Sequence, residues 1–111
     1  MIKAEFARKG ESLVGFMVSG HAGTAEYGYD IVCAAVTSAV MLAANTITDF
    51  LEADAKVVAE ENSIALKLNK PEENTDAVKV LQSLKAHLEI IGEQNGGIAV
   101  RVRDTERNTK C

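Results

Sequence analysis

The sequence predicts an α+β fold in the element order ββαββαβ, a mostly antiparallel sheet with two helices packed on one face. Two patterns carry that reading. Short runs in which apolar and polar residues alternate recur near both ends and in the middle of the chain, as half-buried strands require. Between them lie a long, nearly uncharged apolar segment and a stretch whose apolar residues return every three or four positions, the spacing of an amphipathic helix. Laying both helices on one side of the sheet is the simplest way to bury all these faces. At 111 residues the chain has room for one domain, residues 1–111, and not for a second of ordinary size.

Residues 2–8 place Ile2, Ala4 and Phe6 on one side of a strand and Lys3 and Glu5 on the other. Gly10 turns the chain into a second strand over 13–19, giving an antiparallel hairpin. Gly20, Gly23 and Gly28 mark a mobile connection. Asp30 then opens the first helix as its N-cap, and the helix runs to about Glu52 with Val36, Val40, Ala43, Ile47 and Leu51 supplying apolar faces. Between Asp30 and Ala55 there is no Lys or Arg. A surface helix normally carries such residues, so this one is expected to be covered by the sheet and by a second subunit. A second hairpin, 56–60 with 63–69, turns at Glu61-Asn62 and ends at Pro71. Asn74 or Thr75 caps the second helix, whose Val78, Leu81, Leu84, Leu88 and Ile91 form one stripe. Gly92 and the Gly96-Gly97 pair stop it, and Ile98, Val100 and Val102 make the last strand.

The formal charge of −4 gives no general attraction to phosphate backbones, and with no Trp and 5% aromatics there is little on which bases could stack. Nucleic acid is therefore not the expected partner; a basic peptide matches the charge better. The apolar stretch from Ile31 to Leu51 is interrupted by Thr37, Ser38, Asn45, Thr46, Thr48 and Asp49, which reads as a buried helix and not as a membrane span. The N-terminus mixes charges with apolar residues and shows no export signal. Cys33 and Cys111 lack CxxC spacing, so neither a disulfide framework nor a cysteine zinc cluster is expected, and a reducing cytoplasm is the natural compartment. A metal site from His21, Cys33, His87 and Cys111 has no short ligand spacing; no metal and no cofactor is implied.

One segment concentrates chemistry. SGHAGTAEYGYDIVC, residues 19–33, holds a His, three glycines, two acids, two tyrosines and a Cys. With Asp30 as N-cap, Cys33 is the third helical residue, where unpaired N–H groups and the helix dipole favour a thiolate. His21 follows a strand closely, and the intervening loop lets it return to the helix start as a general base. The bland reading of Cys33 is a small buried hydrophobe in an Ala-rich helix, and of His21 a loop residue without a role. Asp30 is first a cap and second a group that orients His21. Gly20, Gly23 and Gly28 with Tyr27 and Tyr29 form either a lid over a bound peptide or an ordinary loop. Arg101, Arg103, Arg107 and Lys110 give the C-terminal region a basic stripe that reads as a solvated face.

SGHAGTAEYGYDIVCAAVTSAV resembles the signature of the ribosomal-processing cysteine proteases, the Prp or YsxB-like family, in GHAG and then EYGYDIVCAA. The resemblance implies that Cys33 is the nucleophile, His21 the base and Asp30 the third member of the site, with Gly20, Tyr27 and Gly28 as substrate-loop residues. It further implies a homodimer that removes a short N-terminal extension from the large-subunit ribosomal protein called L-twenty-seven, cutting after an aromatic residue and ahead of a small and then basic stretch. The oxyanion would be met by N–H groups at the helix start, that of Cys33 first. Two other readings keep the fold: a non-catalytic dimeric module that grips a ribosomal-protein peptide, with Cys33 merely buried, and a thiol enzyme acting on small esters or sensing redox state, the latter lacking a resolving Cys.

Overall fold

The alternation at the N-terminus forms a hairpin of β1 (Ile2–Lys9) and β2 (Ser12–Ser19) in a computed structural model that describes residues 1–20 and 27–105, the side chains of 27–30 excepted. The remaining elements are α1 (Tyr27–Asn45), β3 (Ala55–Glu60), β4 (Ser63–Leu68), α2 (Thr75–Asn95) and β5 (Ile98–Asp104). The order ββαββαβ is the predicted one. The strands join in one sheet in the order β3-β4-β2-β1-β5, antiparallel throughout except for the pairing of β1 with β5. That parallel pair follows from the connection: β4 is carried to β5 through α2, which returns the chain alongside β1 in the same sense.

Both helices cover one face of the sheet. Ile2, Ala4 and Phe6 of β1, Phe16 and Val18 of β2, and Leu66 and Leu68 of β4 share one core with Val32, Val36, Val40, Ala43, Ala44 and Ile47 from α1 and the turn after it. From α2 come Val78, Leu81, Leu84, Leu88 and Ile91, the stripe read from the sequence, and Leu81 and Leu88 are completely buried. A register shift between Ala7 and Arg8 lets Leu13 also face the helices, while its neighbour Val14 is buried but stays outside that core, on the other face.

The strand ends differ from the sequence reading by single residues, and the helices differ at three points. α1 opens at Tyr27, so Asp30 is its fourth residue and not its N-cap, and the connection after β2 is shorter than expected because 27–29 belong to the helix. A cap preference of about 1 kcal/mol at Asp30 and a glycine penalty of about the same size at Gly28 both favour the later start, so local propensity does not account for the observed one. The helical run does reach the neighbourhood of Glu52, but its last turn, Thr46–Phe50, is π-helical: the N–H of Leu51 donates to the Thr46 carbonyl at 2.9 Å, and Thr46 and Thr48 hydroxyls bond back to Leu42 and Ala44. Gly92 does not stop α2, which continues to Asn95; Gly96, at φ 73°, ends it with its N–H on the Gly92 carbonyl.

Within one chain the sheet and α2 cover only part of α1 and the turn after it. Ile31, Met41, Leu42 and Phe50 stand exposed, Leu42 at 69% and Phe50 at 81%. Ile31–Phe50 is long and apolar enough by length and composition to cross a membrane; here its other face packs on α2 and the core.

Candidate active site

Cys33 lies on α1, half-buried, with its side chain against the core. As the seventh helical residue it is in the second turn, where an N–H pairs with the carbonyl four residues back. The expectation that Cys33 itself offers an open N–H and sits at the strongest point of the helix dipole therefore does not hold, because both properties belong to the first turn. The open N–H groups of α1 are those of its first turn, which contains Tyr27, Gly28 and Asp30.

The Cys33 side chain faces a groove of about 210 Å³. Val36, Val40 and Met41 of α1 line it on one side, Val18, Ser19 and Gly20 at the end of β2 form its back, and the β3–β4 turn, Glu60 to Ser63, makes the opposite wall. Its lining is largely apolar on the helix side, and the exposed residues Glu60 and Glu61 border it, the Glu60 carboxylate accepting from the Ser63 hydroxyl at 3.4 Å. The turn is fixed to β2: the N–H of Gly20 donates to the Asn62 carbonyl at 3.1 Å, and Glu60 pairs with Ser63 across the hairpin. Gly20 holds φ 71°, and a Cβ there would come within 2.9 Å of the Met1 carbonyl, so this position needs glycine for conformation and for space.

Cys33 and Gly20 are thus brought to one groove. Tyr27, Gly28 and Asp30 are placed in the first turn of the helix that carries Cys33, their side chains lying outside the described residues. His21 also lies outside the described residues, as do Gly23, Arg107, Lys110 and Cys111. His87 is exposed on α2. The sequence reading missed the wall formed by Glu60, Glu61 and Asn62; no local signal marks it, since it reaches Cys33 only through the pairing of β4 with β2. A second, larger concavity lies on the opposite face of the sheet, with no cysteine among its described lining residues.

The sequence model of the cysteine protease Prp family matches residues 1–98. No curated protein matches at a significant level. Among solved structures, the SMU.848 protein of Streptococcus mutans superposes with a TM-score of 0.84 at 23% identity, covering 94% of this chain and 95% of its own. An essential ribosomal processing protease Prp from S. aureus, in complex with a substrate peptide, gives 0.84 at 21% identity over 93% of this chain and 100% of that one. The same protease with a covalently linked product peptide gives 0.82 at 22% identity over the same shares.

Proposed function

The chain belongs to the cysteine protease Prp family, and on that premise we propose that it is the endopeptidase that removes the N-terminal extension of the ribosomal protein L-twenty-seven in the cytoplasm, with Cys33 as nucleophile and His21 as base. The observation that carries the proposal is one groove lined by both Cys33 and Gly20, the residue before His21 in the chain. The substrate follows from the resemblance in residues 19–40, supported by the S. aureus protease having been solved with a substrate peptide and with a covalently linked product peptide.

The reaction is acyl transfer. The Cys33 thiolate attacks the scissile carbonyl, and His21, as imidazolium, protonates the leaving amine. Water, deprotonated by the same imidazole, then attacks the thioester, releases the acyl group as the acid and restores the thiolate–imidazolium pair. Because Cys33 lies beyond the helix start, the imidazolium is the main partner that holds its thiolate. Asp30, in the first turn, orients His21 and opposes the thiolate unless it engages the imidazole. Oxyanion donors are assigned to the first-turn N–H groups rather than to Cys33. Gly20, Tyr27 and Gly28 border the peptide, and the uncharged face of α1 joins two chains in a dimer.

Incubation of the protein, and of its Cys33→Ala variant, with a peptide carrying the extension tests this reading. One cut by the first and none by the second is expected. An uncut peptide that nevertheless binds both proteins returns the site to a non-catalytic gripping module.

A further inference from the structure

The face of the sheet turned away from the helices is a trough of about 950 Å³ whose charge runs against that of the whole chain. The strand register lays Lys56, Lys67, Gly15, Ala7 and Arg103 in one row across all five strands. Lys56 and Lys67 are direct cross-strand neighbours, an arrangement that costs stability when no counter-charge intervenes, and among the described residues neither forms an ion pair. Lys9 adds a fourth cation to the lining, against the single carboxylate of Glu5, which Arg103 already meets at 3.4 Å.

The middle of the row is cut low. Gly15 approaches β4 so closely that a Cβ would fall 2.5 Å from the Leu66 carbonyl, and Ala7 beside it presents only a methyl group. Three strand spacings separate Lys67 from Arg103, about 14 Å, which is wide enough to seat a helix with its side chains. Met17, Val58 and Ala65 give the floor an apolar character, with Met17 and Val58 substantially exposed.

We propose that this trough is a docking surface for an acidic, aliphatic-bearing segment of a partner protein, separate from the Cys33 groove. An apolar centre with a charged rim is the anatomy of a protein interface, and the rim here selects carboxylates. A nucleic acid fits less well. The aromatic residue in the lining, Phe16, is 4% exposed with its ring turned to Phe6, so no stacking platform is presented.

The test is fluorescence anisotropy with a labelled amphipathic peptide of Glu, Leu and Ala, its Gln-for-Glu counterpart, and a single-stranded RNA of mixed sequence. Saturable binding of the Glu peptide that weakens with salt is expected, with a loss of about fivefold both in the Gln peptide and in the Lys56→Gln/Lys67→Gln variant. That variant removes a like-charge pair and should melt no lower than the parent, which separates lost binding from lost folding. Absence of saturable binding, equal binding by the variant, or preference for the RNA overturns the proposal. So does a change in the mass of the protein on making the variant, which would give the face to a second copy.

Discussion

The backbone of Gly20 donates to the carbonyl of Asn62 at 3.1 Å, and this bond ties the end of β2 to the turn that walls the Cys33 groove. It joins residues far apart in sequence at the point where the chain leaves the sheet toward His21. Gly20, the residue before the proposed base in the chain, holds a φ of 71° and lies too near Met1 to carry a side chain.

Gly20→Ala should destabilise the fold by about 1–3 kcal/mol, the usual range for a non-glycine residue held in a strained backbone region. Its effect on cleavage should exceed what the lost folded fraction explains, because His21 is covalently attached to the displaced segment. Urea denaturation alongside kcat/KM for the extension peptide measures both. A variant that cleaves normally once corrected for folding would detach Gly20 from the site.

Cys33→Ala should abolish cleavage while shifting the midpoint of unfolding little. The side chain is half-buried and small, so its truncation removes far less apolar contact than a large core deletion. By contrast Leu88→Ala, at a fully buried position on α2, should cost about 2–5 kcal/mol and reduce activity only through loss of folded protein. Thermal melts and active-site titration of the two variants distinguish loss of chemistry from loss of fold.

The rim of the groove predicts a charge preference. Glu61 is exposed in the turn that walls the groove, so a contact between its carboxylate and a cationic side chain of the peptide is worth about 0.2–1 kcal/mol. Glu61→Lys should raise KM for a peptide that carries the basic stretch after the cut by about twofold to fivefold with kcat preserved, and the effect should shrink in high salt. A change confined to kcat would place Glu61 among groups that act on the reacting centre.

The fold was readable because its periodicities are local. The alternation of Ile2, Ala4 and Phe6 and the stripe from Val78 to Ile91 each specify an element and its buried face without help from the rest of the chain. Helix ends were less so: the Asp30 cap signal and the Gly92 stop signal are each worth about 1 kcal/mol, small enough for neighbouring residues to override. Within the site, the Cys33 side could be read from one continuous segment. The Glu60–Ser63 wall could not, because only the antiparallel pairing of β4 with β2 brings it there.

The uncharged face of α1 leads to a prediction about assembly. Ile31, Met41, Leu42 and Phe50 are exposed in one chain, and a row of large apolar side chains left in water by the fold is what an interface between subunits buries. Leu42 makes no contribution to the buried core of its own chain, so Leu42→Asp should leave the folded monomer intact while placing a charge in the contact. Light scattering at micromolar concentration should give the mass of two chains for the parent and of one for the variant. Because α1 also carries Cys33, cleavage by the monomeric variant measures whether dimerisation supports the groove or only accompanies it. A parent protein of single-chain mass would mean that this face stays open to solvent or to another partner.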